Sequence, residues 1–184
     1  MATKKAGTSK RAASSGKNST NRARRPAGND AIALLKEDHK KVRQLLEKLE
    51  SASVRASRFR DSLLTQIEDE VKIHTRIEED IFYPAFKEAV RKKQDQHLYY
   101  EAVEEHHVVD MVLEEFEGLN GADQEQFAAK SKVLKDLIEH HATEEEQEMF
   151  PMARKVMGAQ QLRELGERLK ERKQELTEEM ATAG

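Results

Sequence analysis

The 184-residue chain repeats itself. Slid by 67 positions without a gap, Glu37 falls on Glu104, His39 on His106, Val42 on Val109, Leu46 on Leu113, Glu47 on Glu114, Asp69 on Asp136, His74 on His141, Glu78 on Glu145, Glu79 on Glu146 and Pro84 on Pro151. Matches among acids are cheap in a chain with 35 Asp and Glu, but two histidine pairs and a proline pair in one register are not. Such self-similarity marks one supersecondary unit used twice, each copy burying its apolar face against the other.

That unit is helical, because apolar residues recur three and four positions apart. The spacing predicts helices over about 31–53, 57–91, 96–118 and 123–150, and a last one after Gly158. Pro84 is expected to kink or interrupt the second helix, Pro151 to lie just beyond the fourth, and Gly118, Asn120, Gly121 and Asp123 to break the third. Asn29 or Asp30 is placed to cap the first. Short connections make sequential helices antiparallel, so the expected fold is all-α: an up-down-up-down four-helix bundle over residues 30–155. Residues 156–184 would add an amphipathic helix packed on its outside.

The formal charge of -3 conceals an asymmetry. Residues 1–30 hold eight Lys and Arg against Asp30 alone, which is +7 and leaves -10 for the rest. Residues 1–29 contain no Leu, Ile, Val or aromatic side chain, so nothing there offsets the entropy of ordering, and a disordered basic tail is expected. Such an arm suits non-specific contact with nucleic acid, yet it lacks any aromatic or folded reading element. No apolar run approaches the ~18 residues of a membrane span or resembles a secretory signal, so a soluble, cytoplasmic protein is expected.

The chemistry lies on the apolar stripes. His39 shares a face with Leu35 and Val42, and His106 with Val103 and Val109. His74 stands four residues before Glu78, and His141 four before Glu145, so each pair lies on one face. At ~1.5 Å per residue these positions fall at similar depths along their helices. Any one of these histidines is explained as a hydrogen-bonded core residue. Six polar residues repeated at one offset are not, because two buried carboxylates carry a desolvation cost of several kcal/mol each that a buried cation reverses. With no cysteine, any metal must be held by His, Asp and Glu. Four imidazoles, two bridging carboxylates and a shared oxo or hydroxo group suit two ions, each with about five ligands and one position open. Nitrogen and oxygen donors without thiolate favour iron, with manganese as the alternative. Haem between opposed histidines leaves Glu78 and Glu145 unexplained.

His39, the run His74-Thr75-Arg76-Ile77-Glu78-Glu79 leading to Tyr83-Pro84, His106, and the run from His141 to Glu146 leading to Phe150-Pro151 together resemble the hemerythrin-like, HHE cation-binding family over residues 31 to about 155. The resemblance implies a non-haem, oxo- or hydroxo-bridged di-iron centre. Its ligands would be His39, His74, Glu78, His106, His141 and Glu145. The implied roles are reversible oxygen binding, oxygen or iron sensing, and the handling of peroxide or nitric oxide. Two departures stand out. The animal oxygen carriers have a histidine one turn after the third-helix ligand, where this chain has Asp110, a carboxylate the centre could recruit. They also bridge through the acid five residues after the last histidine, here Glu146, whereas the repeat selects Glu145. Oxygen in place of nitrogen donors favours the ferric state, and with it redox or sensing roles over simple carriage.

The expected function is therefore binding of dioxygen or a related small oxidant. A peroxide- or nitric-oxide-detoxifying enzyme and an iron- or oxygen-responsive regulator are the alternatives. Nothing in the sequence identifies a proton donor, which favours a binder over an enzyme. His97, His107 and His140 are expected at the solvent boundary, and Tyr83 and Phe150 in core packing.

Overall fold

The computed structural model describes residue 1 and residues 30–53, 56–117 and 124–183 of the protein. In order these form α1 (Ala31–Ser51), α2 (Ser57–Ile77), α3 (Tyr83–Ala89), α4 (His97–Glu117), α5 (Gln124–Glu144), α6 (Phe150–Val156) and α7 (Gly158–Ala183), with no strand among the described residues. The basic tail, apart from Met1, and the predicted break at 118–123 lie outside the described residues.

Asp30 supplies the cap of α1: its Oδ1 accepts from the Ala33 N–H at 2.9 Å, and Arg154 pairs with its carboxylate at 3.0 Å. Pro84 interrupts the second helix as expected, whereas Pro151 does not end the fourth. Five-residue π-helical turns, Glu78–Phe82 and Glu145–Met149, join α2 to α3 and α5 to α6, so each pair is one interrupted rod. Pro84 and Pro151 sit at the start of the following α-helix. Lacking an N–H, proline cannot continue the i→i−4 ladder, and the widened turn before it absorbs the missing bond. The fourth predicted helix thus does not stop before Pro151 but runs on to Val156. Gly158 turns the chain into α7 with φ at +74°, a left-handed conformation that glycine adopts without strain.

Ion pairs fix the relative directions. Lys41 meets Glu70 while His39 meets His74; Arg43 meets Glu139 while Lys36 meets Glu146; Lys130 meets Glu115 while His141 meets Glu105. Hence α1 runs antiparallel to α2 and α5, and α4 to α5. Two apolar clusters fill the interior. One joins Leu35, Phe82, Phe86 and Phe150 to Leu162, Leu165 and Leu169 of α7. The other joins Val42, Leu46, Ile67, Val109, Leu134 and Ile138. The polar residues of the repeat lie between them. α7 packs on α1, α2, the first π turn and α6, so it clothes one half of the duplicated structure.

Candidate metal centre

All four predicted histidines and both glutamates are buried, with Glu78 completely enclosed. Their inward atoms converge in two groups that share Glu78. His39, His74, Glu78 and Glu145 form one, and Glu78, His106 and His141 the other, with the donor atoms of each group within 4.8 Å of one another. Nε2 of His39 lies 3.1 Å from Nε2 of His74 and 3.1 Å from Glu145 Oε2. Nε2 of His106 lies 3.1 Å from Nε2 of His141 and 3.4 Å from Glu78 Oε2. His74 and Glu78 approach to 3.2 Å, His141 and Glu145 to 3.6 Å. The π turns begin at these two glutamates, so the widened backbone brings each carboxylate to the level of the histidine one turn before it.

Three of the four imidazoles are held from behind by a carboxylate. His39 Nδ1 meets Glu146 at 3.0 Å, His106 Nδ1 meets Glu79 at 2.9 Å, and His141 Nδ1 meets Glu105 at 2.8 Å. Asp38 stands behind His74 at a looser 3.7 Å, and Lys173 of α7 pairs with Asp38 from outside. An ionised carboxylate only accepts, so Nδ1 carries the hydrogen and Nε2 presents a bare lone pair inward. Two such lone pairs at 3.1 Å repel unless something positive stands between them.

The fit to metal follows from that conflict. Two donors each about 2.1 Å from a shared ion lie ~3.0 Å apart at a right angle and ~3.4 Å apart at a tetrahedral one. The inward spacings fall in or close to this range. Glu78 Oε1 and Glu145 Oε2 are also buried without a hydrogen bond, which a cation would remedy. Without metal, protons take the place of ions. Burial opposes charge on His39, but Glu145 and Glu146 outweigh it and raise its pKa to about 9. Burial lowers His74 to about 4. Burial and the adjacent Glu145 charge push Glu78 well above the carboxylate range, while the surrounding histidines overcome burial and hold Glu145 ionised.

The aromatic pair obeys the repeat and breaks it at one atom. Phe150 stacks on His39 with centroids 5.8 Å apart, and Tyr83 stacks on His106 at 5.5 Å. Beyond core packing, the Tyr83 hydroxyl donates to Glu145 Oε1 at 3.0 Å and lies 3.2 Å from His106 Nε2. Burial and the two glutamates raise its pKa well above that of free phenol, so it keeps its proton. On the other side of the imidazoles a cavity of about 30 Å³ is lined by Val42, Val71, Val109, Ile138 and Ala142.

Glu146 therefore backs His39 rather than facing inward. Asp110 is exposed and lies in an outer groove with Lys72 and Glu114, so it does not reach the inward group. His97, His107 and His140 are exposed. Sequence reasoning missed Asp38 and Glu105 as supports, although they are 67 positions apart and both acidic.

The sequence profile of the hemerythrin HHE cation binding domain matches residues 30–153, a range that contains every inward donor. The chain belongs to the hemerythrin HHE cation-binding family. This hemerythrin HHE chain is also similar to a solved structure. The crystal structure of a hemerythrin HHE cation binding domain-containing protein from Mycobacterium kansasii superposes with a TM-score of 0.69 at 30% identity, covering 80% of this chain and 86% of that one. No curated protein matches the sequence. The hemerythrin HHE fold explains the all-helical architecture, and no described helix is long and apolar enough to cross a membrane.

Proposed function

We propose that the centre holds two non-haem irons, or manganese as a substitute, and binds dioxygen or a related small oxidant. The antiparallel rods are read as an up-down-up-down four-helix bundle over residues 30–155, with 156–184 as an outer helix and 1–29 as a basic tail in a cytoplasmic protein. The ligands are His39, His74, Glu78, His106, His141 and Glu145. The observation that carries this reading is the set of inward lone pairs and partnerless carboxylate oxygens, with three of the four imidazoles braced from behind. A pair of irons supplies reversible one-electron chemistry and an affinity for small oxidants.

The chain's own side chains do the rest. Val42, Val71, Val109 and Ile138 exclude bulk water from the approach to the imidazoles and leave room for a molecule of a few atoms. Glu79, Glu105 and Glu146 orient three of the rings. Iron reconstitution should give about two irons per chain, with a visible band that differs between air and nitrogen and is lost in His74→Ala and Glu78→Ala. A colourless chain that retains no iron overturns the proposal.

Tyr83 favours a second reading, a di-iron enzyme acting on peroxide or nitric oxide. Its hydroxyl is a retained proton beside Glu145 and His106, the donor the sequence did not reveal. Turnover above that of free iron, diminished in Tyr83→Phe with iron content unchanged, selects this reading. Turnover no greater than free iron leaves the binder. For the tail, nucleic-acid retention that persists after deletion of residues 1–29 removes it as a binding arm.

A further inference from the structure

We propose a separate cation site on the outer face of the second repeat, built from Glu105, His140 and Glu144 and suited to a divalent first-row metal. The repeat itself exposes it. Positions 140 and 144 correspond to Ile73 and Ile77, which are buried on the half of the molecule that α7 covers. In the second half the same two helix positions carry an imidazole and a carboxylate, four residues apart on one face of α5.

The geometry is that of a chelate. His140 Nε2 lies 3.4 Å from Glu105 Oε1 and 3.5 Å from Glu144 Oε1, and the three donors lie within 4.8 Å of one another. Donors about 2.1 Å from a shared tetrahedral ion lie ~3.4 Å apart. His140 is 63% exposed while Glu144 and Glu105 are 33% and 21% exposed, so an ion can enter from solvent and keep water as its remaining ligands. Glu101 and Glu148 are close enough to act on Glu144 and add negative potential.

A second observation comes from the counterpart position on the covered half. Asp38 and Glu105 are counterparts, each standing behind an inward histidine. On the covered half the outer oxygen of Asp38 is engaged by the ammonium of Lys173. On the other half, Glu105 keeps Oε2 on His141 Nδ1 and turns Oε1 toward His140. A metal ion there would fill the role that the lysine fills opposite. Glu105 serves both places, but nothing here requires an ion at the inward centre, so the two proposals stand or fall separately.

The test is calorimetric titration of the full chain with Zn²⁺, in iron-loaded and metal-free forms, for wild type, His140→Ala and Glu144→Gln. Metal analysis records the iron content of each. In either form wild type should take up one Zn²⁺ equivalent that is lost, or weakened about tenfold or more, in both variants. Circular dichroism should show their helix content unchanged, since His140 is exposed and Glu144→Gln keeps the size of a partly exposed side chain. Equal Zn²⁺ uptake by wild type and variants, or no uptake by iron-loaded wild type, overturns the proposal. Failure of the iron centre would show instead as absent iron in wild type, with the zinc difference intact.

Discussion

A histidine that offers Nε2 to an ion needs a partner for Nδ1–H, and the protein draws those partners from the same repeat that supplies the inward donors. Glu146 and Glu79 are counterparts bracing His39 and His106. Glu146→Gln or Glu79→Gln should therefore retain iron but lose it to a competing chelator with affinity reduced about 10–100-fold. In the metal-free chain, stability should be greatest in the weakly acidic range, because Glu78, whose pKa burial and the Glu145 charge raise, folds protonated and loses its contribution as pH rises above 4.5. The raised pKa of His39 contributes stability that is present below 6.5 and lost as pH climbs to about 9. His74 folds as the neutral base, so its contribution fades as pH falls from 6.5 to about 4. Glu146, held near 2 by His39 despite partial burial, loses its own as pH falls from 4.5 toward 2. Urea denaturation from pH 3 to 10 measures the profile, and His74→Gln should flatten the acid limb. The inward donors were legible because each is a polar residue on an apolar stripe. Asp38 and Glu105 were not, because an acid on a helix flank looks like any solvated charge until its neighbour is placed.

Among the elements, helix type and most ends follow from periodicity and caps, as the start of α1 at Asp30 illustrates. The π turns do not. Proline announces a missing hydrogen bond, but whether the chain stops, kinks or widens depends on what the next turn can bury, and after Pro151 it buries Ala153. Gly158 offers a clean test. A Cβ there meets nothing within 4 Å, so Gly158→Ala should cost only the left-handed conformation, about 1 kcal/mol. Leu169, fully buried between α7 and the rest of the fold, should cost ~2–5 kcal/mol when cut to alanine. Denaturant midpoints of the two variants, compared at constant m-value, separate these magnitudes.

At the scale of the whole molecule, duplication makes the centre: neither hairpin alone contributes two carboxylates and four imidazoles at one level. Any ion that binds the native chain but not the unfolded one raises stability by mass action, so removing the metal should lower the melting temperature measurably. Calorimetry before and after chelation checks this, and an unchanged melting temperature would argue that the buried donors hold no ion. The fifth rod, α7, gives the molecule two unlike flanks. Backbone amides along α1 and α2, sheltered beneath it, should trade their hydrogens for deuterium more slowly than those of α4 and α5. The flank that no further described helix covers should then open more readily, and an ion or a gas molecule bound for the interior would arrive through α4 and α5.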